Sequence, residues 1–270
     1  MGNKLEWDKT GEHFYETGTD HVALYVAADT PTGGISGVGG TGTGPYLAGV
    51  AWNGCTGVTE SPSGGEETKL WADNIKYLSL RSAEDIGATV TAYTYPPEWE
   101  ECDGSILASM VTGESSSLAG VMAISQQGRK GFCLAFRTLV GNDAKGNDFG
   151  YKIHILYGCS TSPSEKANKT VNESPEANEF SWTIATSPIE PSLTIDGKVI
   201  KPTARVVIDA SQVSRMSSGA AKTAALAKIQ QIEDNLFGKD NTQGETDGIV
   251  AHILTPAEIY SILNASVVSG

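Results

Sequence analysis

The sequence predicts a mainly β protein, an antiparallel β-sandwich or barrel with one flanking α-helix and a short C-terminal helix. Three observations predict it. Short apolar and aromatic stretches with period-two alternation, or with β-branched and aromatic enrichment, recur through most of the chain. Turn chemistry such as SPSGG, YPP, DG and GNDAKGND separates them at the spacing of sandwiches and barrels. Near the C-terminus the composition turns alanine-rich and the apolar period lengthens from two to about 3.6.

Taken in order, residues 1–20 read as an arm, because Trp7, Phe14 and Tyr15 stand among charged residues with too few apolar neighbours to bury themselves locally. Strands are expected at 21–26, 50–58, 68–71, 76–81, 88–95, 121–125, 132–140, 151–159 and 178–186. The stretch 30–45, TPTGGISGVGGTGTGP, has seven glycines in sixteen residues and reads as a flexible surface loop. In TVTAYTY, Val90, Ala92 and Thr94 face one way and Thr91, Tyr93 and Tyr95 the other. Each face is partly apolar, as expected of a sheet that packs on one side and meets a neighbour on the other. Residues 187–202 form a crossing segment with a hairpin turn at Asp196 and Gly197, leading to the strand ARVVID. A helix over 218–237 puts Ala221, Ala225, Ile229, Ile232 and Leu236 on one face, with Ser217 or Ser218 as cap and Gly238 as stop. Thr255, Pro256 and Glu258 then set up a capping box for a short helix that buries Ile259, Ile262 and Leu263. Residues 1–190 make the β core, with the arm and the glycine-rich loop 30–45, and 191–270 complete or flank the same domain.

Composition limits the function classes. A chain of 270 residues can bury a core that needs no covalent staples. Cys55, Cys102, Cys133 and Cys159 show neither a CxxC pair nor a histidine at zinc spacing, so neither a metal site nor a disulfide scaffold is expected. Cys133, inside FCLAF, reads as a small buried hydrophobe. The start MGNKLEWDKT lacks an apolar h-region, and no apolar stretch approaches the length of a membrane span. A soluble protein made in a reducing cytoplasm is the expectation. The balance of 32 acids against 19 Lys and Arg gives a net −13, which argues against nucleic-acid binding through a basic patch. The charge is uneven: residues 83–127 hold seven acids and no Lys or Arg, whereas 129–170 hold seven bases against three acids. These are either two solvated faces or complementary surfaces that meet between neighbouring copies.

Motifs that could carry chemistry fail on inspection. Gly37, Gly39 and Gly42 satisfy GxGxxG, but Pro45 and another strand follow where a dinucleotide site needs a helix. Asp143, Asn147 and Asp148 suggest a calcium loop, yet position twelve of an EF-hand needs Glu and is His154, so a turn between strands is expected. Glu98, Glu100, Glu101 and Asp103 could serve a glycosidase but share one short segment that reads as solvated surface. His13, His21, His154 and His252 lie far apart in sequence, and no serine sits in a GxSxG elbow. The sequons at Asn168, Asn172 and Asn264 carry no weight without a secretory signal. No catalytic residue, cofactor or metal is assigned, and the expectation is a protein that is not an enzyme.

Longer words carry a resemblance. GNKLEWDKTGEHFYETG, GVAWNGCTGVTESPSG, WADNIKYL, AYTYPPEWEECDGS, QQGRK, GNDAKGNDFGYKIH, SPSEKANKTVNESPEA and FSW follow one another over residues 2–182, about two thirds of the chain. On these the sequence resembles the major tail proteins, or tail tube proteins, of long non-contractile-tailed bacteriophages and prophages. The stretch 30–45 and the C-terminal quarter depart from that pattern. The resemblance implies a β-sandwich of the tail-tube type, six copies closing into a ring, and rings stacking into the conduit for DNA ejection. It also implies a tape measure protein, a distal tail protein and a tail terminator as partners, assembly in the bacterial host cytoplasm and a final place in the virion tail. On this basis the segment 59–67, with Thr59, Glu60, Ser63, Glu66 and Glu67, or the glycine-rich stretch, is expected to reach a neighbouring ring, while Trp7, Phe14 and Tyr15 dock on an adjacent subunit. Two other readings stay open: a monomeric carbohydrate-binding β-sandwich using Trp71, Trp99 and Tyr95 as stacking platforms, and the tube of a phage-tail-like bacteriocin.

Overall fold

The computed structural model describes residues 7–29, 45–113, 116–170, 177–243 and 246–265. Most of 30–45, with Gly37, Gly39 and Gly42, lies outside them, as does Asn172. The elements are β1 (Phe14–Val26), β2 (Val50–Ala51), β3 (Cys55–Gly64), β4 (Glu67–Ala72), β5 (Ile75–Arg81), β6 (Glu84–Ala92), α1 (Trp99–Cys102), β7 (Ile106–Gly113), β8 (Ser116–Ile124), β9 (Phe132–Asn142), β10 (Gly146–Thr161), β11 (Phe180–Thr186), β12 (Thr194–Ile195), β13 (Lys198–Val199), β14 (Arg205–Asp209), α2 (Ser211–Ser214), α3 (Ala220–Phe237) and α4 (Pro256–Asn264).

The main sheet runs β2-β1-β9-β10-β11-β6-β3 with antiparallel pairing throughout, and β14 adds to β10. Two corners fold it into a sandwich. At the first, the edge of β10 that pairs with β14 over 152–156 passes to β11 from Cys159 onward, while the other edge stays on β9 through a register shift between Leu156 and Cys159. Gly158 sits there at φ +57°, and a Cβ on it would fall 2.2 Å from the Ser187 carbonyl oxygen, so only glycine fits. At the second, the segment expected as one strand over 50–58 is broken: β2 pairs with β1, Asn53 and Gly54 turn, and β3 pairs with β6. Gly54 at φ +83° permits the bend. The bent segment brings β3 beside β1, so the sandwich closes towards a barrel.

Alternation along the strands separates two apolar cores. Val22, Leu24, Val26, Phe132, Leu134, Phe136, Val90, Trp182 and Ile184 point between the layers. Trp52, Trp99 and Trp182 meet there with ring centroids 4.5 to 5.7 Å apart, in tilted and edge-on contacts. Ala23, Tyr25, Cys133, Ala135, Ile153, Ile155 and Tyr157 point outward, under Ile229, Ile232 and Leu236 of α3 and Ile259 of α4. This explains FCLAF, an unbroken apolar run: β9 is covered on both faces, and all five of its residues are buried. Arg137 anchors α3 to the sheet by taking Asp20 in a fork (2.9 and 3.2 Å) and Glu233 at 2.8 Å, over the Tyr151 ring.

Local signals resolve as follows. Asp196 and Gly197, both at positive φ, make the expected hairpin turn between β12 and β13. Thr255 and Glu258 form the capping box. Helix α3 begins at Ala220 with Gly219 as its N-cap, so neither Ser217 nor Ser218 caps it, and it leaves Ala221 exposed. Leu263, expected to be buried, is 37% exposed. Because β6 ends at Ala92, Tyr95 escapes the alternation and turns its ring against Phe180 and Trp182. Strand β7 and the single-turn helices α1 and α2 had no expectation in the sequence.

Candidate assembly surface

Besides the short β12–β13 hairpin, two longer hairpins, β4–β5 and β7–β8, stand apart from the main sheet, each as a two-stranded sheet of its own. Such a ribbon is marginal in water unless one face is covered. In β4–β5 the turn residues Asp73 and Asn74 both take positive φ, the geometry of a tight hairpin turn. Paired residues share a face, so Glu67 with Arg81, Lys69 with Ser79 and Trp71 with Lys76 lie on one side. There Lys76 donates to Glu67 at 2.6 Å, and Ser79 donates to the same carboxylate. The opposite side holds Leu70, Leu78, Leu80 and Ile75, which are 42% to 63% exposed. In β7–β8, Ile106, Ala108, Met110, Met122 and Ile124 share a face by the same reasoning. The four larger ones are 46% to 58% exposed. Covering the exposed part of each such side chain would return roughly 1 kcal/mol. Contiguous apolar faces of this kind mark interaction sites.

The residues expected to make intersubunit contacts divide. Trp7 projects into solvent at 75% exposure. The backbone after it is fastened to the β9–β10 turn: Asp143 accepts from the amides of Gly11 and His13, and Asn142 donates to the Gly11 carbonyl. The arm is shorter than expected, since β1 starts at Phe14 and pairs with β9 from there. Phe14 and Tyr15 do find local partners, contrary to the premise that placed them in the arm. Phe14 packs on Phe149 at 4.9 Å with the Arg215 guanidinium over its ring, and Tyr15 donates to Asn147 at 2.8 Å. The segment 59–67 is not a loop: Thr59, Glu60 and Ser63 lie in β3, paired with Thr89, Ala88 and Asp85. Only Gly65 and Glu66 connect β3 to β4, and Glu67 opens β4. Pro62, which has no N–H to donate, is tolerated because β3 is an end strand of the ladder.

Glu60 is engaged inside its own chain. Its carboxylate takes Arg205 at 2.6 Å and His154 Nδ1 at 3.3 Å. His154 stacks on Phe136 and its Nε2 lies 2.9 Å from the Thr138 hydroxyl. Burial pushes the Glu60 pKa up, but the bonds and charges of His154 and Arg205 outweigh it and hold the carboxyl below its ordinary value. Three of the four acids near α1, Glu100, Glu101 and Asp103, are likewise paired rather than solvated. Lys130 reaches Glu101 and Asp29, while Lys166 reaches Asp103 at 2.8 Å and Glu100 at 3.6 Å over the Tyr95 ring. The acidic and basic stretches therefore meet at these points within one chain, a third outcome beyond the two that the sequence suggested. One Glu98 oxygen and the indole N–H groups of Trp99 and Trp182 are buried with no partner among the described residues.

Four free thiols complete the inventory. Cys133 and Cys102 are pushed up by burial to about 11 and about 12, and Cys159 lies well above its ordinary value for the same reason. Among the described residues no cluster of His, Cys, Asp and Glu could hold a metal ion, and no helix is long and apolar enough to cross a membrane. No family model matches the chain, and no curated protein sequence does. The signal for the β4–β5 face lay in Leu70, Leu78 and Leu80 around the Asp73 and Asn74 turn. Alternation alone does not say whether the apolar side meets its own core or another molecule.

Proposed function

We propose that this chain is a structural virion protein that assembles into rings of six copies, which stack into the tail tube through which phage DNA is ejected. The observation that carries the reading is the pair of hairpins β4–β5 and β7–β8, whose apolar side chains are left exposed by the described residues of their own chain. The number six, the tube and the accompanying tape measure, distal tail and terminator proteins rest on the sequence resemblance. The net charge of −13 per copy favours passage of DNA, because carboxylates on a lumen wall repel phosphates that lysines would hold. Screening confines that repulsion to about 8–10 Å at physiological salt, so only lumen-facing carboxylates take part. Electron microscopy of the purified protein tests the proposal. Six-fold rings or uniform tubes are expected, and a persistent monomer at high concentration overturns it. The carbohydrate-module reading loses two of its three platforms, since Trp99 is fully buried and Tyr95 packs against the core under Lys166. A tail-like bacteriocin would use the same subunit for the same structural purpose.

A further inference from the structure

Asn53 and Gly54 form the sole Asn-Gly pair of the sequence. They occupy the second corner of the sandwich, between β2 and β3. Asn53 is exposed, and Gly54 sits at φ +83°. Among the described residues the Asn53 carboxamide has no hydrogen-bond partner, and neither has the peptide unit that joins Asn53 to Gly54. An electrophilic carboxamide and the backbone nitrogen able to attack it are thus neighbours, with nothing tying either down. Glycine has no Cβ to shield that nitrogen, and its backbone reaches conformations closed to other residues.

Every other asparagine precedes a residue with a Cβ. Asn74 also lies exposed in a turn, but Ile75 follows it, and a β-branched side chain crowds the attacking nitrogen. Asn142 is buried, donating to the Gly11 carbonyl and accepting from the Lys145 amide. Asn235 and Asn264 each donate their carboxamide to a carbonyl one helical turn back.

The geometry points to Asn53 as a site of spontaneous deamidation, at which the backbone itself isomerises. The deprotonated Gly54 nitrogen attacks Asn53 Cγ, forming an N–Cγ bond. The Cγ–Nδ2 bond breaks, and ammonia leaves with the proton that Gly54 gave up. Water, the sole co-reactant, then opens the cyclic imide at either carbonyl. Breaking the N–Cγ bond gives an ordinary aspartate. Breaking the bond from the Gly54 nitrogen to the Asn53 main-chain carbonyl carbon gives isoaspartate, whose main chain runs through Cβ and Cγ.

The corner magnifies that product. Isoaspartate adds one methylene to the path between Trp52 and Gly54 and leaves a carboxylate as a branch. Trp52 is buried, its amide donating to the Val22 carbonyl and its indole to the Thr94 carbonyl, each at 2.8 Å. The Gly54 carbonyl accepts from the Tyr93 amide, also at 2.8 Å. Both ends of the turn are therefore fixed, and a longer path must displace Trp52 from the tryptophan cluster or break the Gly54 bond.

Peptide mapping by mass spectrometry, after the folded protein is aged at mildly alkaline pH, tests the assignment. Asn53 is expected to lose its amide ahead of every other asparagine. An isoaspartyl methyltransferase is expected to label the aged protein and not aged Asn53→Gln. Urea unfolding reads the consequence: the midpoint of the aged protein should fall, while fresh Asn53→Asp, with the same added charge and no extra methylene, should keep that of the unaltered protein. Another asparagine converting first, or conversion at Asn53 only after denaturant has unfolded the chain, would overturn the proposal. An aged protein as stable as Asn53→Asp would overturn the effect assigned to the added methylene. Asn53→Ser repeats the labelling control if Asn53→Gln loses the circular dichroism spectrum of the fold.

Discussion

Replacing Glu60 by Gln should weaken the monomer at neutral pH and leave it nearly unchanged in acid. The carboxylate holds Arg205 at 2.6 Å and His154 at 3.3 Å, so two bonds lose their charge assistance while the neutral amide keeps the shape. A hydrogen bond to a charged group contributes roughly 1.5–3 kcal/mol when buried. Arg205 is more than a third exposed, and screening reduces its share to below about 1 kcal/mol. His154 is buried, but its bond is the longer one. The expected loss is about 1–2 kcal/mol near pH 7. Folding lowers the Glu60 pKa below 4.5, so its contribution is fully present above that value and disappears as pH falls through the folded value. Urea unfolding of both proteins, at concentrations where each is monomeric, should show the gap at neutral pH closing well below pH 4.5. An equal gap at both pH values would refute the ionic account, and no gap at neutral pH would show that the cluster adds nothing.

Four further outcomes follow from the fold. Trp182→Ala, which empties the centre of the three-tryptophan cluster, should cost about 3–5 kcal/mol in the same urea assay. A thiol reagent added to the native protein should label Cys55 alone, more slowly than a free thiol because burial raises its pKa, with the other three slowed on the order of a thousandfold until denaturant is added. Thr255→Ala removes the capping box of α4 and should lower stability by about 1 kcal/mol, read by thermal unfolding. Asp143→Ala releases the backbone that precedes β1, so hydrogen exchange at the Gly11 and His13 amides should accelerate while β9 stays protected.

What could be read from the sequence was what depends on near neighbours. Thr255, Pro256 and Glu258 specify a helix start within four residues, and Asp196 with Gly197 specifies a turn within two. The strands of the double-covered layer announced themselves by long apolar runs such as FCLAF. Features that depend on distant partners were hidden. GVAWNGCTGV looks like one strand although Asn53-Gly54 is a local turn signal, because apolar residues continue on both sides of it; that its halves pair with β1 and β6 in different layers is not local information. Glu100, Glu101 and Asp103 looked solvated because Lys130 and Lys166, their partners, lie far along the chain. Glu60 looked like a contact residue because TESPSGGEE resembles a loop, whereas its partners come from β10 and β14. The hairpin faces were visible as alternation, but their exposure was not, because an exposed apolar side chain has the composition of a core residue.

The double burial of β9 changes what fixes its register. In a sheet with one wet face, a slip of one residue drives apolar side chains into water, and hydrophobicity alone forbids it. Over Phe132–Phe136 both faces are dry, and such a slip would leave those five side chains still covered, although it would also pull Arg137 from Asp20 and Glu233. Volume has to do the discriminating: Phe132, Leu134 and Phe136 fill the wide space between the layers, while Cys133 and Ala135 lie beneath the helices. A one-residue shift would force a phenyl ring into room sized for a methyl group. Cys133→Ala should therefore be tolerated, whereas Cys133→Phe attacks the alignment of the strand itself, even though phenylalanine is the more hydrophobic of the two.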